Sequence, residues 1–211
     1  MRKLLAETIG TSLITMSVIG SGIMATNLTD DVAIQLLLNC LATVGILWLS
    51  ITIFSGVSGS HFNPMVSIFV LSKKNLGLMF GYIAAQIFGA TLGALSANLM
   101  FENPAISISS TIREGNHLLL GEFIAAAGLV FIIFFKAKNV KVIRPALIAL
   151  WIMGAYFFTS STSFANPVVT FGRMLTDTFA GIAPSSALIF IAIQVIGSSA
   201  GYGLALAVRK K

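Results

Sequence analysis

The chain has few groups with which to do chemistry. Its 211 residues include one cysteine, two histidines and seven acidic side chains. Charged residues make up 9% of the total, against roughly 25% in a soluble domain, and 56% of the chain is hydrophobic. That balance excludes an ordinary soluble domain and indicates an integral membrane protein. A lone cysteine, Cys40, excludes a disulfide framework; its apolar surroundings suit a small packed residue. The sequence offers no nucleophile, metal cluster or phosphate loop, so no enzymatic activity, metal or cofactor is expected. The first apolar run, Leu4 to Ala25, is too long for a signal-peptide core and is read as a span.

A membrane span needs about 20 apolar residues. Six stretches qualify, at roughly 4–25, 33–57, 76–100, 117–136, 143–161 and 185–208. Two shorter apolar pieces, roughly 64–72 and 167–176, cannot span. Each begins right after an Asn, with Pro at the first helical position, where its missing N–H costs nothing. Both are expected to be half-helices that enter the membrane and stop. The formal charge is +6, which by itself would allow a nucleic-acid partner. Its distribution excludes one. Of the 13 basic residues, all but Arg113 and Arg173 fall on one side of the predicted spans: Arg2, Lys3, Lys73, Lys74, Lys136, Lys138, Lys141, Arg144, Arg209, Lys210 and Lys211. The positive-inside rule makes that side cytoplasmic and puts both termini there, in the plasma membrane.

The two halves echo each other. "LLAETIGTSLITM" opens the first span and "LLGEFIAAAGLVF" the fourth, each with one acid, Glu7 or Glu122, just inside an apolar helix. The Asn-Pro pairs, in "HFNPMVSIF" and "FANPVVTFG", lie 103 residues apart. With three full spans per half, the second half must be inverted relative to the first. The expected fold is a single all-α membrane domain over 1–211, with six transmembrane helices and two re-entrant half-helices. Its repeats cover about 1–101 and about 116–211. Inverted repeats with broken helices at the midplane are a transport architecture. The pairs Gly77/Gly81, Gly89/Gly93 and Gly197/Gly201 are spaced for close helix contact.

An N-terminus at mid-membrane leaves backbone N–H groups unpaired, which is tolerable only against protein or a wet cavity. Asn63 and Asn166 can each cap one donor with the side-chain oxygen and leave the amide NH2 free for a passing solute. Two positive dipole ends, each about half a charge, then face the centre and disfavour cations.

On these residues the chain resembles the aquaporin, or major intrinsic protein, family. "SGSHFNPMVS" and "FANPVVTFG" resemble its two Asn-Pro-Ala loops, "AETIGTSLITMSVIGSG" its first span and "GYIAAQIFGATLGA" its third. The resemblance implies an aquaporin-like hourglass, one pore per subunit, and a homotetramer. It also implies that Glu7 and Glu122 are structural, bonding the loop backbone that feeds each half-helix. The motifs present are the variants Asn63-Pro64-Met65 and Asn166-Pro167-Val168. The literal Asn103-Pro104-Ala105 lies in a polar outer loop and is read as a turn.

In most of that family an arginine follows the second motif and lines the narrowest outer constriction. Here the position is Val169. Carried over by spacing from the two asparagines, the other filter positions are Thr43, Gly154 and Ser163. A filter of Thr, Gly, Ser and Val is wide and suits water and small uncharged polar solutes: glycerol, urea or metalloid acids such as arsenite. The alternative is that Phe164, Phe157 or Phe158 refills the gap and leaves a water-selective pore. Arg173 lies four residues after Val169 and either reaches back over the outer mouth with Phe164 or pairs at the surface with Asp177; the spacing favours the surface pair. His61 is placed in the inner vestibule, as a hydrogen-bonded prop in preference to a pH gate. Met65 either narrows the centre or packs. Two further readings carry less support. A low-flux structural role finds no adhesive surface, and a coupled transporter would need titratable groups along the pore.

Overall fold

The computed structural model describes residues 1–135 and 143–208. Among the described residues eight helices run in the order α1 (Arg2–Leu28), α2 (Val32–Phe54), α3 (Pro64–Leu71), α4 (Leu76–Met100), α5 (Asn116–Phe134), α6 (Arg144–Phe158), α7 (Pro167–Arg173) and α8 (Pro184–Ala207). Lys136, Lys138, Lys141, Arg209, Lys210 and Lys211, counted above toward orientation, lie outside the described residues.

Local chemistry sets most of the ends. Asp31 caps α2 by accepting from the N–H groups of Ala33 (2.8 Å) and Ile34 (3.2 Å). Asn75 caps α4 through the N–H of Leu78 at 2.9 Å. Five helices are long and apolar enough to cross a membrane; α6 has 15 residues, about 22 Å of helix. The fifth expected span, 143–161, is therefore shorter than read, because the chain turns extended at Thr159 (φ −102, ψ 141) to enter the second Asn-Pro loop. The second half-helix also stops early, at Arg173. Past it, the carbonyls of Met174 and Leu175 accept from Ser109 (3.0 Å) and Ser107 (3.1 Å) of the outer loop.

Glycine fixes how the long helices meet. A Cβ on Gly89 or Gly93 of α4 would strike the α1 backbone at Thr8 and Ser12. A Cβ on Gly197 or Gly201 of α8 would strike the α5 backbone at Phe123 and Ala127. Rising numbers meet rising numbers, so α1 runs parallel to α4 and α5 parallel to α8, and the two halves are built alike. The third expected pair does not join backbones: Gly81 meets the Leu4 side chain, and Gly77 has only Asn75 near it. Large apolar side chains such as Trp48, Phe80, Phe88 and Leu188 point outward, as a lipid-facing surface requires.

At the end of the bundle away from Lys73 and Lys74 the loop from Phe101 to Gly115 is stitched to the segment after α7. Asn98 bridges them, donating to Leu175 O (3.0 Å) and accepting from Thr176 Oγ1 (2.7 Å). Asp177 accepts from the Ser110 N–H (2.9 Å) and hydroxyl (3.0 Å), which hold its carboxyl below the usual aspartate range. A depressed carboxylate stabilises its clasp above the unfolded pKa and loses it as pH falls through the folded one, so this clasp is intact at neutral pH. Asn103-Pro104-Ala105 sits in this loop, with Ala105 O accepting from Asn98 at 3.1 Å.

Gly201→Val should push α5 and α8 apart and cost about 1–3 kcal/mol, read as a lower melting temperature in detergent. Gly45→Ala, where nothing lies within 4 Å of the added carbon, should not lower it.

Candidate functional site: a cavity between two half-helices

The site is built from two loops that cannot hold themselves. In the first, Gly59, Ser60 and Phe62 have positive φ (89°, 53° and 47°); in the second, Thr162, Ser163 and Ala165 do (60°, 54° and 50°). Five of these six are not glycine, and each such residue costs about 1–3 kcal/mol. A buried carboxylate secures each loop. Glu7, fully buried in α1, accepts from Ser58 Oγ (2.6 Å), His61 N (2.9 Å), Phe62 N (2.7 Å) and Gln86 Nε2 (2.8 Å). Glu122, fully buried in α5, accepts from Phe164 N (3.2 Å), Ala165 N and Gln194 Nε2 (2.9 Å).

The two glutamines were not singled out from the sequence. Each amide also donates into its half-helix, Gln86 to Ser67 Oγ (3.0 Å) and Gln194 to Thr170 Oγ1 (2.8 Å). A signal was available: Gln86, Gly89 and Gly93 repeat as Gln194, Gly197 and Gly201, the same Q-x-x-G-x-x-x-G spacing.

The half-helices meet at their N-termini. Asn63 Oδ1 accepts from Met65 N (2.9 Å), and Asn166 Oδ1 from Val168 N (3.1 Å). Across the junction Asn63 Nδ2 donates to Ala165 O (3.1 Å), and Asn166 Nδ2 to Phe62 O (2.8 Å). The amides are therefore not wholly free, as the sequence suggested. One hydrogen of each is committed to the opposite loop, and one is left.

Both asparagines line a cavity of about 530 Å³. Its wall is mostly aliphatic, with Ile14, Val18, Leu47, Ile51 and Val66 among the lining residues. It reaches from Arg144 and Phe134 at the end of the bundle that carries Lys73 and Lys74 to Arg173 at the other. Thr43, Ser163, Val169, Phe164 and His61 all line it. The hydroxyls of Thr43 and Ser163 are buried at its wall, that of Thr43 within hydrogen-bond reach of the Tyr156 hydroxyl. His61 Nδ1 lies 3.0 Å from Ser67 Oγ, with its ring 5.0 Å from that of Tyr82. Met65 and Val168 are buried off the cavity, and neither Pro64 nor Pro167 lines it.

Two sequence readings need correction. Gly154 does not line the cavity; it is exposed, and only the Phe158 ring lies near it. Ile148, Ile152 and Tyr156 line it instead, on the opposite face of α6. Trp151 sets that rotation. Its Nε1 donates to Ala125 O (3.0 Å), and its ring occupies the space over Gly128 of α5. Arg173 is not a surface partner of Asp177. It is 4% exposed, lines the cavity, and donates from Nε to Ala180 O. Its guanidinium carbon lies 3.3 Å from the centre of the Phe164 ring. Phe157 and Phe158 are 53% and 57% exposed, so neither refills the filter.

A cavity threaded between facing half-helices of an inverted repeat is the site of a membrane channel. The profile of the major intrinsic protein family matches residues 1–160. The chain is 42% identical to the aquaglyceroporin AqpS of Rhizobium meliloti (strain 1021), over 93% of this chain and 85% of that one. It is 32% identical to a probable TIP-type aquaporin of Medicago truncatula, over 80% of this chain and 72% of that one. The X-ray structure of the aquaglyceroporin from Plasmodium falciparum superposes with a TM-score of 0.70 at 18% identity, over 97% of this chain and 93% of that one, a likeness of fold. The chain belongs to the major intrinsic protein family. It is a multi-pass membrane channel for water and small solutes, in a family of transport channels and not of enzymes.

Glu122→Gln would turn an amide N–H against loop donors that now meet a carboxylate, at about 1–3 kcal/mol for each donor left unpaired. Folded yield and flux should fall together. Exposed Glu114→Gln should change neither.

Proposed function

We propose that the chain conducts small uncharged polar solutes together with water, with glycerol, urea and metalloid acids such as arsenite as the solute class. The observation that carries this is a mostly aliphatic wall interrupted, where the half-helices meet, by the amides of Asn63 and Asn166, each with one uncommitted hydrogen. Those two hydrogens offer donors to a passing solute on an otherwise apolar path. A solute with hydroxyl or amide groups on one side and carbon on the other matches such a wall. The cavity is also large against the roughly 30 Å³ that one water takes in the liquid. Among the described residues no acidic side chain lines it, which argues against a coupled cation transporter. The active assembly on this reading is a homotetramer with one pore per subunit, in the plasma membrane with the Lys73–Lys74 end cytoplasmic.

A second reading, strict water selection, is favoured by the aromatic side chains Tyr156 and Phe164 at the cavity wall. Stopped-flow light scattering on proteoliposomes separates the two. Glycerol and urea uptake well above empty vesicles supports the first; fast water flux with no solute uptake supports the second. Val169→Arg places a long cation in the aliphatic wall and should slow glycerol about tenfold, a barrier rise of about 1.4 kcal/mol. Ser163→Ala removes one hydroxyl from the wall and should slow it less.

A further inference from the structure

We propose that Arg173 is the cation-excluding residue of this pore, supplying from one helical turn beyond Val169 the positive charge that Val169 lacks. The proposal rests on the channel reading above. Val169 and Arg173 are four residues apart in α7, share a face, and both line the cavity.

Arg173 is held in place. Nε is tied to Ala180 O, and the backbone carbonyl accepts from Ile182 N at 3.3 Å. The guanidinium lies on the Phe164 ring, and that ring is packed edge-on against Phe190 at 5.3 Å. A guanidinium has five N–H donors, and Nε is the only one with a protein partner among the described residues. The terminal nitrogens are left for the cavity and its contents.

No carboxylate pairs directly with it among the described residues. Asp177, four residues on, is engaged by Ser110. Glu122 is hydrogen-bonded by its own loop and Gln194 and acts on the guanidinium only at longer range. The neighbouring Arg113, 5.3 Å from the same ring, adds charge of the same sign, and its guanidinium donates to the carbonyls of Gly181 and Phe179. A unit charge at the cavity wall without a directly paired carboxylate repels a cation more strongly than it would in bulk water. Neutral solutes meet it as a hydrogen-bond donor.

The test uses the full-length protein in vesicles, with proton flux read by an internal pH-sensitive dye and glycerol uptake read by light scattering. Arg173→Met should raise the proton leak about tenfold or more, with measurable glycerol uptake by the same vesicles showing that the variant is folded and open. Restoring a guanidinium one turn back, in Val169→Arg with Arg173→Met, should lower the leak again. An Arg173→Met channel that conducts glycerol and leaks protons no faster than wild type overturns the proposal. So do wild-type vesicles that pass methylammonium ion as fast as urea, a result that needs no variant to fold. Wild-type vesicles that pass neither water nor solute faster than empty ones would instead defeat the channel reading, since the leak is measured separately.

Discussion

Everything in this pore depends on two carboxylates that never meet water. Taking an ionised carboxylate out of water costs several kcal/mol, and it persists only where donors surround it. Glu7 has four donors and Glu122 three, drawn mostly from backbone N–H groups of the loops beneath the half-helices. The dependence is mutual. Those loops contain five non-glycine residues in the left-handed region, a conformation they would leave without an acceptor to turn toward. The carboxylate is stable because the loop is strained, and the strain persists because the carboxylate is there. Gln86 and Gln194 extend each unit into its half-helix, so acid, loop and helix N-terminus are fixed together.

From that fixed point the junction follows. With both loops set, each asparagine caps its own helix and donates to the opposite loop. The bond pair spans the two repeats, so neither half-helix can shift without breaking a bond in the other. Two helix N-termini thus face each other at depth, and in each the asparagine side chain satisfies a first-turn donor.

Much of this was legible in the residues, and the parts that were not share a cause. Asn-Pro pairs, matched glutamates and apolar runs are local signals, and the helices they mark lie close to where they were expected. Gly154 was placed by counting from Asn166, and counting presumes a helix rotation. The actual rotation is set by Trp151 seated over Gly128, a contact between residues far apart in sequence. Arg173 was misjudged because spacing reports which residues share a helix face, not which way a long side chain runs. Asp177 stood at the right distance in sequence to pair with it, and only the outer loop, by engaging that carboxylate through Ser110, shows that it does not. Gln86 and Gln194 were not singled out, although their spacing to the paired glycines repeats in both halves.

The placement of Arg173 also bears on how a buried cation is tolerated without an ion pair. An arginine does not escape burial by losing its proton, so its charge must be met by something. Here it is met in parts. One carbonyl, the face of one ring, and the negative end of α7, whose last residue it is, each supply partial negative charge. A carboxylate would hold the guanidinium more firmly, but it would cancel the field that the passage feels. Carbonyl and ring fix the group while leaving its net charge in place, and the open nitrogens complete their shell from the cavity. Anchoring a charge and neutralising it are separate operations, and a pore that must repel cations needs the first without the second.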